Sequence, residues 1–158
     1  MPKQYFFLAG VPRSGSTLLA SILNQNPNIY VSAESSLPNI LSSVCSQYES
    51  KPNLDHDRSK DIENILQNLI PLFYARYKEE ILIDKSFLWT EPAPYELLEK
   101  HLKNDIKIVC TVRNPLETFA SWHRVSGTGH SPDEIAALFQ QDFFNGITNM
   151  QRIINEGK

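Results

Sequence analysis

Four short apolar runs, separated by longer amphipathic stretches, restrict this 158-residue chain to few folds. Gln4 to Ala9 (QYFFLA), Ile29 to Val31 (IYV), Ile81 to Asp84 (ILID) and Ile106 to Val112 (IKIVCTV) read as strands, and most are apolar enough to be buried on both faces. Strands of that kind belong to a parallel sheet covered on each side by helices. The intervening segments supply the helices. Ser16 to Gln25 is stopped by Asn26-Pro27, and Ser36 to Glu49 carries Leu37, Ile40, Leu41 and Val44 on one side. Asp61 to Lys78 spaces Ile62, Ile65, Leu66, Leu69, Ile70 and Phe73 as a helical stripe, with Pro71 as a kink or break. Asn114-Pro115-Leu116-Glu117 and Ser131-Pro132-Asp133-Glu134 each combine an N-cap, a proline at the first helical position and a glutamate three residues after the cap. The sequence therefore predicts an α/β fold: a P-loop-like parallel sheet of about four strands flanked by helices in three α/β/α layers.

A composition with 41% hydrophobic residues suits one globular domain over residues 1–158. The net charge of −3 gives no general attraction to nucleic acid or to an anionic membrane, so any anion site must be local. Cys45 falls in a predicted helix and Cys110 in a predicted strand, which is the pattern of reduced core cysteines and not of a disulfide framework or a zinc site. With no apolar run of about 20 residues and no signal-peptide series at the start, the expectation is a cytoplasmic protein without a membrane partner.

The turn after the first strand carries the chemistry. GVPRSGST, residues 10–17, is close to the phosphate loop of nucleoside triphosphatases, but Ser16 stands where that loop has lysine, and the cation is Arg13. Between a strand and a helix, successive backbone N–H groups and the positive helix end surround an anion, with the hydroxyls of Ser14, Ser16 and Thr17 as further donors. IKIVCTV then delivers Arg113 at a strand end and, two helical turns later, Ser121. An arginine fork and a hydroxyl there suit a second phosphate.

FFLAGVPRSGSTLL (Phe6 to Leu19) and IVCTVRNPLETFAS (Ile108 to Ser121) resemble the 5'-phosphosulfate loop and the 3'-phosphate motif of sulfotransferases that use 3'-phosphoadenosine 5'-phosphosulfate. GVPRSGSTLL followed by NPNIYVSAES is most similar to the protein-tyrosine sulfotransferase branch and its bacterial relatives. The resemblance implies that Arg13, Ser14, Gly15, Ser16 and Thr17 hold the 5'-phosphosulfate, and that Arg113 and Ser121 hold the 3'-phosphate. It further implies that Glu34 is the catalytic glutamate and that Lys85, in IDKS, is the lysine beside the transferring group. The family's further strand and Gly- and basic-rich segment after the last helix, which help to enclose the nucleotide, have no counterpart before Lys158.

Those residue types suit sulfuryl transfer on chemical grounds too. The reaction needs in-line positioning and stabilisation of charge on the equatorial and leaving oxygens, as phosphoryl transfer does, but the group carries less charge, so cations suffice without a metal. Arg13 and Lys85 would stabilise the leaving oxygen, and Glu34 would take the proton of an acceptor hydroxyl, whether of a peptide tyrosine, a sugar or a small alcohol. The product would be adenosine 3',5'-bisphosphate. Two other readings compete: a non-catalytic nucleotide-binding module of the same fold, and a P-loop kinase or triphosphatase with Asp84 as its magnesium carboxylate.

Overall fold

The computed structural model describes residues 3–49, 56–102, 106–126 and 131–156. Four strands, β1 (Gln4–Gly10), β2 (Ile29–Glu34), β3 (Ile81–Lys85) and β4 (Ile108–Thr111), form one sheet in the order β2-β3-β1-β4. Every neighbouring pair is parallel. The helices are α1 (Ser16–Leu23), α2 (Leu37–Glu49), α3 (His56–Phe73), α4 (Pro92–His101), α5 (Pro115–Ser126) and α6 (Pro132–Asn155), with a 3-10 turn at Phe87–Thr90.

Period-2 alternation along the central strands divides the core. Phe7, Ala9 and Leu82 face Leu37, Leu41, Leu66, Ile70, Trp89 and Leu98, which come from α2, α3, the 3-10 turn and α4. Leu8, Val31 and Ile83 face Ala20 of α1 on the other side. A third cluster joins Val11, just past β1, to Phe143 and Met150 of α6. Gly146 makes that contact close: a Cβ there would lie 2.6 Å from Val11 Cγ1. The exposed edge at β2 is covered locally by Asn24, whose side-chain amide donates to the Val31 carbonyl at 3.0 Å and accepts from the Val31 N–H at 2.7 Å.

The predicted layers and strands are present, with local differences. The helix predicted over Asp61 to Lys78 begins earlier and ends at Phe73. Pro71 lies inside it, two residues from its end, where the hydrogen bond that proline removes is one of the last the helix would make. Helix α4 has no counterpart in the sequence reading, although Glu91-Pro92 places proline at its first position and Tyr95 and Leu98 are buried at helical spacing. Ser131 and Glu134 form a full capping box, with Ser131 N–H donating to Glu134 Oε2 at 2.8 Å and Glu134 N–H to Ser131 Oγ at 3.3 Å. At α5 the corresponding glutamate is used differently. Asn114 Oδ1 accepts from Leu116 N–H at 2.9 Å, but Glu117 turns away from the cap to pair with Arg113. Cys45 and Cys110 are free thiols.

Candidate active site

A sheet of this order changes winding direction around β1, because β3 lies on one side of it and β4 on the other. Ligands of open parallel sheets bind at such a switch, beyond the carboxyl ends of the strands. The GVPRSGST turn leaves β1 there. Gly10 has φ +141°, and a Cβ on it would lie 2.4 Å from Thr111 Oγ1 and 2.6 Å from the Thr111 carbonyl oxygen. Only glycine lets the loop pass this close to the end of β4. Ser14 completes that junction through a 2.6 Å hydrogen bond between its hydroxyl and Thr111 Oγ1.

Arg13 is held in the left-handed region at φ 69°, which a side chain with Cβ seldom adopts. Its exposed guanidinium donates from Nε to Ser121 Oγ at 3.2 Å, tying the loop to α5. Gly15, at φ 105°, precedes the first turn of α1, and no side chain among the described residues caps that helix end. The N–H groups of the first turn are thus without a side-chain acceptor beside a cation, an arrangement suited to an anion.

Arg113 emerges beyond β4 as the sequence predicts. It pairs with Glu117 at 2.9 Å, while Ser121 is engaged by Arg13. The two residues assigned to one phosphate thus have different partners, and Ser121, like Thr111, joins the two sequence stretches.

Glu34 and Lys85 meet at the ends of β2 and β3. The β2–β3 register pairs Val31 with Ile83 and Glu34 with Lys85, so three steps along β2 match two along β3. This bulge carries Glu34, instead of Ala33, opposite Lys85, as bulges beside functional sites often re-aim a side chain. Ser32 takes up the interrupted ladder: its Oγ accepts from the Lys85 backbone N–H at 2.8 Å. Lys85 Nζ then lies 2.8 Å from Glu34 Oε2, with the lysine side chain 9% exposed and the glutamate 52%. The other carboxylate oxygen accepts from Phe87 N–H at 3.3 Å. A cleft of about 610 Å³ opens beside the pair, with Thr17 and Ser21 of α1 and its C-cap Asn24 on one wall and Ser32, Glu34 and Lys85 on the other.

Asp84, the magnesium ligand of the triphosphatase reading, faces away from this cleft. Its carboxylate is buried and accepts from Ser35 Oγ, Tyr74 Oη and Trp89 Nε1. Burial pushes its carboxyl above the usual range, while those three donors pull in the other direction. Burial, and then the Asp84 charge, push the Tyr74 phenol well up, so it stays a donor. Sequence reasoning did not find Ser32, Ser35 or Thr111; their roles depend on a bulge and a strand junction for which no residue pattern stands.

The family model of the sulfotransferase domain matches residues 3–156. Among solved structures, the sulfotransferase domain from the Synechococcus PCC 7002 olefin synthase is similar with TM-score 0.66 and 19% identity, over 96% of this chain and 62% of that one. The sulfotransferase domain from the curacin biosynthetic pathway gives TM-score 0.66 and 22% identity, over 98% of this chain and 63% of that one. This chain thus spans less than two thirds of either structure, and at such identities the likeness bears on fold alone. No curated protein matches. With the family pattern running over nearly the whole sequence on the fold it requires, the chain belongs to the sulfotransferase domain family.

Proposed function

We propose that this domain transfers a sulfuryl group from 3'-phosphoadenosine 5'-phosphosulfate to an acceptor hydroxyl. The observation that carries the reading is the Glu34–Lys85 pair: a half-exposed carboxylate and a nearly buried ammonium 2.8 Å apart on the wall of an open cleft. The pair shares the carboxyl edge of the sheet with the loop that carries Arg13.

In this reading the N–H groups of Gly15, Ser16 and Thr17, the Thr17 hydroxyl and the Arg13 guanidinium hold the 5'-phosphosulfate. Ser14 shapes the loop, since its hydroxyl serves Thr111 and its backbone N–H donates to the Val11 carbonyl at 3.1 Å, and it would reach the ligand only by exchanging one of these partners. Arg113 and Ser121 hold the 3'-phosphate, which requires Arg113 to exchange Glu117 for the ligand. Glu34 accepts the proton of the acceptor hydroxyl as the acceptor oxygen forms its bond to sulfur. The bond from sulfur to the bridging phosphate oxygen breaks in the same step, and the electron pair remains on the 5'-phosphate of adenosine 3',5'-bisphosphate. Lys85 and Arg13 stabilise the charge that appears there. The engagement of Asp84 by three protein donors supports this reading over a magnesium-dependent triphosphatase. No described helix is long and apolar enough to cross a membrane. A cytoplasmic enzyme acting on a peptide tyrosine, a sugar or a small alcohol is the form of the proposal to test.

The test is calorimetric titration with adenosine 3',5'-bisphosphate, adenosine 5'-phosphate and ATP, each in chelator and in magnesium, followed by transfer of labelled sulfate to a panel of phenols, tyrosine peptides and sugars. Preference for the bisphosphate together with transfer supports the enzyme. Binding without transfer to any acceptor supports a non-catalytic module, and preference for ATP only with magnesium supports the triphosphatase.

A further inference from the structure

The strand that ends in Lys85 also carries a carboxylate for which the proposed reaction has no use. Asp84 precedes Lys85 on β3, so strand alternation turns it to the opposite face of the sheet, where it is 2% exposed. A carboxylate so removed from water requires donors around it. Ser35 Oγ at 2.7 Å and Tyr74 Oη share Oδ2, and Trp89 Nε1 lies 2.6 Å from Oδ1.

Two of these donors belong to the segments that hold Glu34. Ser35 is its immediate neighbour, and its backbone N–H donates to the Lys85 carbonyl at 2.8 Å. Trp89 belongs to the 3-10 turn whose first residue, Phe87, donates its N–H to Glu34 Oε1. Tyr74 adds the turn after α3. One carboxylate therefore gathers the end of β2, the 3-10 turn and the α3 end against β3, which an apolar side chain of equal volume has no means to do.

We infer that Asp84 is a positioning residue for the Glu34–Lys85 pair, acting through Ser35 and Trp89 to hold the glutamate at hydrogen-bond distance from the lysine. The inference rests on the roles proposed for Glu34 and Lys85 as far as transfer is concerned, but the geometry it describes is measurable without any reaction.

The experiment compares the parent protein with Asp84→Asn and Ser35→Ala. Ser35→Ala deletes one hydroxyl and leaves Asp84 two donors, so it tests the idea even where Asp84→Asn fails to fold. The readouts are the ¹⁵N-ammonium resonance of Lys85, assigned with Lys85→Ala, titration with adenosine 3',5'-bisphosphate, and single-turnover transfer of labelled sulfate. Loosening of the pair should expose the Lys85 ammonium to rapid solvent exchange and slow transfer by roughly tenfold or more, because small misplacements of reacting groups are that costly. Bisphosphate affinity should stay within about twofold, since the pair acts on charge that appears during transfer. An unchanged Lys85 resonance with parent transfer overturns the inference, as does a parallel fall of binding and transfer, which marks Asp84 as a residue of general stability. Failure of the parent to bind the bisphosphate would overturn the proposed reaction instead, and the Lys85 resonance would still decide whether Asp84 holds the pair.

Discussion

Arg13 donates to Ser121 across 108 residues of sequence, at 3.2 Å, and so joins the loop after β1 to the second turn of α5. The two stretches that the sequence assigns to separate phosphates are physically coupled. Ser121→Ala should therefore weaken binding of adenosine 5'-phosphate as well as of the 3',5'-bisphosphate, because it releases the Arg13 side chain along with its own hydroxyl. Calorimetry with both nucleotides measures this, and an effect confined to the bisphosphate would show that the Arg13 link has no role in binding.

Arg113→Ala should behave differently. A charge-assisted contact contributes about 1.5–3 kcal/mol, so loss of a 3'-phosphate clamp weakens the bisphosphate by roughly 10- to 100-fold and leaves adenosine 5'-phosphate nearly unaffected. Glu117→Gln should strengthen bisphosphate binding, since the carboxylate competes for the same guanidinium at 2.9 Å. Equal weakening of both nucleotides by Arg113→Ala would remove Arg113 from the 3'-phosphate site.

Two glycines are close packed, Gly10 at the end of β1 and Gly146 in α6. Gly10→Ala meets Thr111 at 2.4 Å in a backbone conformation hostile to Cβ, and Gly146→Ala meets Val11 Cγ1 at 2.6 Å. Overpacking of this kind costs about 1–3 kcal/mol, or several degrees of melting temperature for a chain of this size. Gly15→Ala has nothing within 4 Å of the added carbon and suffers only from its φ of +105°, so it should be the mildest of the three. Thermal unfolding of the three variants checks this order.

His101 makes stability pH-dependent. It is buried, both ring nitrogens lack a partner among the described residues, and burial, then the neighbouring Lys100, lower its pKa, with Glu63 opposing. Below the unfolded value of about 6.5 the unfolded chain binds a proton that the folded chain resists, so stability falls as pH drops through that value. The urea midpoint should fall more steeply between neutral and mildly acidic pH in the parent than in His101→Phe. Identical slopes would mean that the ring is protonated as readily when folded.

The layers were legible because β1 and β3 are apolar on both faces and because Ser131 and Glu134 follow the capping-box rule they spell. The same spelling at Asn114 and Glu117 led elsewhere, since Arg113 offers the glutamate a charge partner that a lone helix end does not. Glu34 and Lys85 were readable as residue types, but not as a pair. Their contact depends on one extra residue in β2, and IYVSAE contains no glycine or proline to announce a bulge. Asp84 could be noticed only as a possible metal ligand, because its three donors come from residues 35, 74 and 89, which local spacing does not connect.

Lys85→Met keeps the buried stem volume and removes the charge, leaving Glu34 half exposed to water. Transfer should fall while bisphosphate affinity changes little, the signature of an interaction made chiefly in the transition state. Lost affinity with unchanged turnover would make Lys85 a binding residue.

The Glu34→Gln variant tests the central claim most directly, by single-turnover transfer of labelled sulfate alongside bisphosphate titration. Glutamine keeps the size and the contact with Phe87 N–H but removes the basicity, so transfer should drop by about 10²- to 10⁴-fold, the usual contribution of a general base, while bisphosphate affinity holds or rises. Transfer at the parent rate would contradict the account, because the pair at the end of β2 and β3 would then have no part in moving the proton.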